Sequence, residues 1–191
     1  LRLMREATVF MGVPTYYVRL LQEKGLTREA VAHMRLFISG SAPLLPETFT
    51  EFRERTGQTL LERYGMTEGG MFTSNPLEGE RRGGTVGFPL PGTEVRVVGD
   101  GDAPLPAGEI GHIQVRGDNV FTGYWQMPEK TQEEFTPDGF FRTGDMGRFD
   151  ADGYLAIIGR DKDLIISGGL NVYPKEIEEA IDALPGVTES A

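Results

Sequence analysis

The chain has 191 residues, 39% of them hydrophobic and 25% charged, which is enough to bury one substantial core and part of a second. A formal net charge of -10 argues against a general surface for nucleic acid or anionic membranes, since both need a basic field. The absence of cysteine excludes disulfide scaffolds, zinc-thiolate sites and a cysteine nucleophile.

No segment of the sequence predicts membrane insertion or export. No apolar run approaches the roughly 18 residues of a membrane span, and residues 1–6 lack the layout of a signal peptide. Because Leu1 stands inside an apparent helix, we expect the natural N-terminus to lie upstream. We expect a cytoplasmic protein without nucleic-acid or membrane partners.

The first 75 residues predict strands that alternate with helices. In chain order the prediction is strand 8–12, helix 14–24, strand 35–38, helix 46–55 and strand 59–63. This alternation favours an α/β fold with a parallel sheet, whose ligand sites lie beyond the carboxyl ends of the strands. Turns of small residues are predicted at that edge, at Ser39 and at Gly65.

After Asn75, short runs of alternating hydrophobic and polar residues are separated by Gly and Pro. This pattern is typical of antiparallel strands or a small barrel. The predicted strands are 94–98, 109–116, 154–158 and 164–166, and helix returns only at 175–183. We place a boundary in the charged run 160–163. Residues 1–160 then form the end of a large N-terminal domain, with an α/β part (1–75) and a β-rich part (76–160). Residues 161–191 form a hinge and the start of a small α+β C-terminal domain.

The strongest local motif is YGMTE at residues 64–68. The ring of Tyr64 can stack on a base, Gly65 permits close approach of backbone, and a hydroxyl beside a carboxylate can serve phosphate and Mg²⁺. Mg²⁺ commonly uses one or two protein carboxylates with substrate phosphates, so Glu68 needs no acidic neighbour. Taken alone, the motif is more often an ordinary loop.

Three further motifs are also ambiguous when taken alone. SGSAPL (39–44) is either a ligand-binding turn or a plain strand-to-helix turn. In FRTGDMG (141–147), Asp145 could accept bonds from both hydroxyls of a ribose or form an Asx turn. The run GRDKDLIISGGLNVYPKEIE (159–178) begins as a solvated charged linker and contains a hairpin bend.

The order of six motifs resolves this ambiguity. SGSAPL, YGMTE, TVGFPLPG (85–92), GYW (123–125), FRTGD and GRDKDLIISGGLNVYPKEIE together resemble the adenylate-forming superfamily of acyl-CoA synthetases, luciferases and nonribosomal peptide adenylation domains. The resemblance covers essentially the whole chain.

The resemblance implies a nucleotide site for ATP and AMP made by Gly40, Ser41, Ala42, Glu62, Arg63, Tyr64, Gly65, Met66, Thr67, Asp145 and Arg160. It implies that Ser41 and Gly65 also contact the acyl substrate and that Glu68 holds Mg²⁺. It further implies that Lys162 is a hinge acting with Thr67 and Glu68 in catalysis. Coenzyme A would be contacted by Ser167, Gly168 and Gly169.

The implied activity is that of an ATP-dependent acid–CoA ligase, which forms an acyl-adenylate and then a thioester with coenzyme A. The stretches RLFISGSAPLL, LLERYGMTE and GERRGGTVGFPLPGTEVRV look most like malonyl-CoA synthetases, although Gly69 and Gly70 depart from some members. We therefore expect malonate or a related small dicarboxylate. Its second anion needs an arginine, for which Arg35, Arg81 and Arg82 are the candidates.

Other functions stay open at this point. The chain could be an adenylation domain that loads a carrier protein, or a silent nucleotide-binding relative. A calcium loop at Asp100 and Asp102 or at Asp150 and Asp152 fails the EF-hand spacing. In relatives a phosphate loop precedes this region and an adenylation lysine follows it, so we expect the 191-residue chain alone to be inactive.

Overall fold

The computed structural model describes residues 1–167, 170–182, 184–187 and 190. The helices are α1 (Pro14–Gln22), α2 (Pro46–Thr56), α3 (Pro128–Glu134) and α4 (Pro174–Asp182). The strands are β1 (Val9–Gly12), β2 (Leu36–Ser39), β3 (Leu61–Met66), β4 (Gly70–Ser74), β5 (Phe88–Pro89), β6 (Thr93–Val98), β7 (Gly111–Gly117), β8 (Phe141–Phe149), β9 (Leu155–Arg160), β10 (Ile165–Ser167) and β11 (Leu170–Val172). Within these ranges, no helix is both long and apolar enough to cross a membrane.

The first sheet has the order β1-β2-β3-β4-β5. Strands β1, β2 and β3 run parallel, and β4 and β5 add to β3 as antiparallel strands. Both connecting helices begin at a proline, where the missing N–H removes no helical bond. Helix α2 ends at Gly57, which adopts the left-handed conformation with φ of 72°. The predicted α/β organisation of this part is confirmed.

An aromatic cluster holds α1 and α2 against this sheet. The ring of Tyr17 meets Phe52 edge to face at 5.4 Å, and Phe52 meets Phe37 of β2 at 5.0 Å. All three side chains are fully buried. The Tyr17 hydroxyl donates a hydrogen bond of 2.5 Å to the carbonyl of Ile38, so this buried hydroxyl is paired. The cluster therefore fixes the position of the carboxyl end of β2.

The second sheet is antiparallel, with the order β6-β7-β8-β9. Its inner face packs Ile113, Phe141 and Leu155 against Phe72 of the first sheet, and all four side chains are buried. Backbone bonds between residues 86–87 and Leu155, at 2.7 and 2.8 Å, join the two sheets directly. The expected antiparallel organisation of the β-rich part is confirmed.

The last described elements form a β10-β11 hairpin and α4. Between them and the second sheet, Tyr173 packs on Met146 and Ile158. The hairpin forms a separate two-stranded sheet, which is compatible with the predicted domain boundary in residues 160–163. The division into two domains stays a prediction.

Two local predictions were wrong. Helix α3 lies where no helix was expected, because its sequence PEKTQEE buries no residue and so has no amphipathic period. Strand β3 continues to Met66, so the turn predicted at Gly65 begins instead at Thr67. A bulge in the pairing of β3 with β4 falls between Tyr64 and Gly65.

Gly65 cannot be replaced without moving this turn. A Cβ there would lie 1.9 Å from the carbonyl oxygen of Gly70, a backbone atom that cannot rotate away. We expect Gly65→Ala to lower the free energy of unfolding by about 1–3 kcal/mol, measured by urea denaturation followed by circular dichroism.

Gly159→Ala is the matched control, because no atom lies within 4 Å of a Cβ at that position and its backbone is extended. We expect it to leave stability unchanged or to raise it by up to about 1 kcal/mol. Equal stability of the two variants would contradict this account of the turn.

Candidate functional site

A cleft of ≈ 800 Å³ opens at the carboxyl ends of β2 and β3 and is bordered by β9 and α4. Its lining includes these predicted site residues: Ser41, Ala42, Glu62, Arg63, Tyr64, Gly65, Asp145 and Arg160. A smaller cavity of ≈ 260 Å³ adjoins it and shares Ser41, Arg63 and Gly65. Gly40 lines the smaller cavity. Residues from both sheets therefore meet at the edge where ligand sites of α/β folds lie.

Ser41 adopts an unusual backbone conformation where the two cavities meet. Its φ of 69° lies in the left-handed region, which side chains other than glycine seldom adopt. It follows the end of β2 by two residues, and Gly40 before it packs closely on the backbone of Arg63. Such outliers concentrate at ligand sites, which supports the role predicted for Ser41.

A bulge in β8 directs Asp145 toward the cleft. Residues 143–145 stand opposite Ile113 alone, and Gly144 within the bulge has a φ of 73°. The Thr143 hydroxyl accepts a bond of 3.1 Å from the backbone N–H of Asp145 and donates one of 2.8 Å to the Ile113 carbonyl. The bulge is thus held in place by hydrogen bonds, as bulges near ligand sites often are.

The Asp145 carboxylate is 5% exposed and is bound from two sides. The Tyr64 hydroxyl donates to Oδ2 at 2.5 Å, and the Nε of Arg160, which lies opposite on β9, donates to Oδ1 at 2.7 Å. Burial raises the pKa of Asp145 above its usual value, while Tyr64 and Arg160 act to lower it and Glu68 to raise it. Burial and the charge of Asp145 raise the pKa of Tyr64, so its hydroxyl stays protonated and donates.

Glu68 and Thr67 lie in the turn after β3. Neither is among the described residues that line the two cavities. Tyr124 donates a bond of 3.1 Å to Oε1 of Glu68, and burial together with this bond raises the pKa of Tyr124 to about 12. The charge of Glu68 acts to raise the pKa of Asp145. A shared nucleotide site requires that the turn and the carboxylate in β8 face the same ligand.

The residues present fit a magnesium ion that is held mainly by substrate phosphates. The described ranges contain no group of three or more His, Cys, Asp or Glu that could hold a metal by itself. Glu68 is a half-buried single carboxylate, and Mg²⁺ commonly takes one or two carboxylates together with phosphate oxygens.

Two of the predicted nucleotide residues make structural contacts. Glu62 is 5% exposed, and its Oε1 accepts a bond of 3.0 Å from the N–H of Gly84, so its carboxylate holds the loop that precedes β5. Met66 ends β3 and packs into the core of the second sheet. The sequence alone does not separate these residues from the ligand-contacting ones, because Met66 lies within the YGMTE motif and Glu62 lies two residues before it.

Of the predicted hinge and coenzyme A residues, the structure describes Lys162 and Ser167, and neither is among the described residues that line the cleft. Lys162 is exposed and lies in one turn of 3-10 helix, Asp161–Asp163, between β9 and β10. Ser167 ends β10, and Gly168 and Gly169 lie outside the described residues. The pivot at Lys162 and the coenzyme A contacts stay predictions.

The arginines considered for a second anion make other contacts. Arg81 donates to three backbone carbonyls, and Arg82 pairs with Glu80, Asp150 and Asp152. Arg35 is exposed, outside the lining of both cavities as described. Arg63 instead lines both cavities, with one guanidinium nitrogen 2.9 Å from the sulfur of Met11.

Comparison with known proteins gives close matches. A malonate–CoA ligase of Arabidopsis thaliana is 44% identical over 191 residues, which cover 95% of this chain and 31% of the relative. A sulfoacetate–CoA ligase of Cupriavidus necator is 46% identical over 181 residues, covering 94% and 35%. The crystal structure of ATP-bound MatB from Rhodopseudomonas palustris has a TM-score of 0.97 at 61% identity, covering 100% of this chain and 38% of that one.

The chain thus spans about a third of the length of these relatives. The family described as AMP-binding enzyme matches residues 3–125, a segment that contains the small-residue turn after β2, the YGMTE motif and the GYW motif. The cleft and the buried Asp145 agree with these matches. The chain belongs to the AMP-binding enzyme family.

Proposed function

We propose that this chain carries the nucleotide-binding cleft of an AMP-forming acid–CoA ligase that acts on a small acid with a second anionic group. The observation that carries the proposal is the buried carboxylate of Asp145, bound by Tyr64 and Arg160 at the mouth of a cleft of ≈ 800 Å³.

Asp145 is suited to bind the ribose of ATP. A carboxylate has about four acceptor positions, and the two described bonds use one on each oxygen. The remaining positions accept the two ribose hydroxyls, each bond contributing about 1.5–3 kcal/mol because the acceptor is charged. Tyr64 then offers its ring to the adenine, and Gly65 lets the base approach the backbone.

The reaction proceeds in two transfers. In the first, an oxygen of the substrate carboxylate attacks the α-phosphorus of ATP, the bond to pyrophosphate breaks, and an acyl-adenylate forms. In the second, the thiol of coenzyme A attacks the acyl carbon and AMP leaves with the bonding electron pair. The chain's own residues position the reactants, Asp145 through the ribose and Ser41 at the junction of the cavities. Mg²⁺, held at Glu68, would supply neutralising charge for the phosphates.

The smaller cavity limits the acid that fits. Its ≈ 260 Å³ suits a short chain, and its lining includes Ser41 and Gly65, the two residues predicted to contact substrate. We infer that Arg63, in place of Arg35, Arg81 or Arg82, binds the second anion, because Arg63 lines this cavity and its guanidinium lies beside Met11, another lining residue. Malonate and sulfoacetate, which name two of the relatives, are both short acids with a second anionic group.

The acid specificity is tested on the complete protein with a panel of acids. We expect ATP–pyrophosphate exchange with malonate or sulfoacetate to exceed that with acetate, octanoate or any amino acid by at least about tenfold, since one charged hydrogen-bonding pair provides that discrimination. Equal exchange with a monocarboxylate would remove the claim of a dianionic substrate. Thioester formation with free coenzyme A separates the ligase from a domain that loads a carrier protein.

Arg63→Met tests the second-anion role by removing the charge while keeping a flexible, unbranched side chain. We expect the KM for malonate to rise about 10- to 100-fold while the KM for acetate changes little, because only the second carboxylate loses its partner. Arg35→Met, at an exposed position away from both cavities, is the control and keeps the wild-type ratio. A parallel loss for both acids, or a rise only in the KM for ATP, would assign Arg63 to the nucleotide instead.

Tyr64→Phe tests the electrostatics of the ribose site. ATP binding requires ionised Asp145, so affinity falls as pH drops through its pKa, which burial raises above the usual value of an aspartate. The Tyr64 hydroxyl lowers that pKa, so its removal moves the midpoint of ATP binding to higher pH.

Binding of a fluorescent ATP analogue across this pH range measures the midpoint. Arg160 and Glu68, the other charged groups that act on Asp145, remain in place in Tyr64→Phe. Tyr154→Phe removes a hydroxyl bonded to the carbonyl of Glu80 and keeps the wild-type midpoint. An unchanged midpoint in Tyr64→Phe would show that Asp145 does not govern nucleotide binding.

A further inference from the structure

The GYW motif at residues 123–125 has no part in the function described so far, although it touches the Glu68 turn. The Tyr124 hydroxyl donates to Oε1 of Glu68 at 3.1 Å, across 56 residues of sequence. In the same segment the backbone N–H of Phe121 donates to the carbonyl of Glu68 at 2.7 Å. One loop therefore holds both the main chain and the side chain of Glu68.

Tyr124 is itself held from several directions. Its backbone N–H donates to the Thr131 hydroxyl of α3 at 2.9 Å, and its ring meets Phe121 at 4.8 Å with an interplanar angle of 73°. The ammonium of Lys130 lies 5.3 Å from the ring centroid. Phe121 in turn packs edge to face on the buried Phe141 at 5.2 Å. The hydroxyl is thus positioned by a helix and by the core of the second sheet.

The glycine of the motif is required for this packing. A Cβ at Gly123 would lie 2.6 Å from the Cγ2 of Thr131, and the residue has a φ of 150°. Any side chain there would displace the Thr131 side chain, whose hydroxyl accepts the bond from the Tyr124 N–H. By contrast, Trp125 is 86% exposed and takes no part in the contact with Glu68. Gly123 and Tyr124 are therefore the residues of the motif that support the Glu68 turn.

We propose that Tyr124 is a positioning residue for the magnesium–ATP complex, because its hydroxyl fixes the rotamer of Glu68 and presents the second carboxylate oxygen to the cation. The inference rests on the proposed function of Glu68. Carboxylates that bind metals are themselves oriented by hydrogen bonds, and loss of such a partner typically costs 10- to 100-fold in metal affinity.

The test measures metal-dependent nucleotide binding by the complete protein, apart from turnover. A fluorescent, non-hydrolysable ATP analogue is titrated at a series of Mg²⁺ concentrations, and the half-saturating Mg²⁺ concentration is read for each variant. We expect Tyr124→Phe to raise that concentration about tenfold and to leave metal-free nucleotide binding unchanged. Tyr154→Phe, which loses a hydroxyl far from Glu68, keeps the wild-type value.

Glu68→Gln and the double variant with Tyr124→Phe separate the two levels of the proposal. We expect Glu68→Gln to raise the half-saturating Mg²⁺ concentration more than Tyr124→Phe does, and the added Tyr124→Phe change to have no further effect. An unchanged value in Glu68→Gln overturns the role of Glu68 in the proposed function. A changed value in Glu68→Gln with a wild-type value in Tyr124→Phe overturns the inference about Tyr124 alone.

Discussion

The pair of bonds accepted by Asp145 is the interaction on which the site depends. Tyr64 reaches it from the first sheet and Arg160 from the second, so one carboxylate joins the two layers at the cleft. A buried charge is tolerated only when its partners are close and well directed. Asp145 has both partners within 2.7 Å, and its burial keeps water from competing with a ligand for the same oxygen atoms.

The carboxylate of Asp145 is supported by packed and hydrogen-bonded elements of both sheets. The aromatic cluster of Tyr17, Phe37 and Phe52 fixes the end of β2, and the bulge at Gly144 directs Asp145. The Glu62 carboxylate holds the loop before β5, which in turn bonds to β9. Positioning of reactants is the main work of phosphoryl-type transfer, and the proposed function would use this framework for it.

Much of the architecture could be predicted from the sequence, because strands β1 to β3 and helices α1 and α2 have strong periodicity and clear proline and glycine limits. The family resemblance predicted one nucleotide site that contains Asp145 and Tyr64, and the two side chains are in contact although 81 residues separate them. Helix α3 was not predicted because it is short, polar and exposed. The pairing of Tyr124 with Glu68 and the place of Arg63 in the smaller cavity depend on tertiary contacts between distant segments, for which a single sequence carries no periodic signal.

The backbone conformation of Ser41 has a cost in folding free energy. A left-handed backbone at a residue with a side chain costs about 1–3 kcal/mol, and glycine would avoid that cost. Ser41, at the junction of the two cavities, therefore carries a cost in folding free energy. Under the substrate contact proposed for Ser41, replacing it by glycine would stabilise the fold but remove the hydroxyl from the site, so thermostability and catalytic competence would conflict at this position.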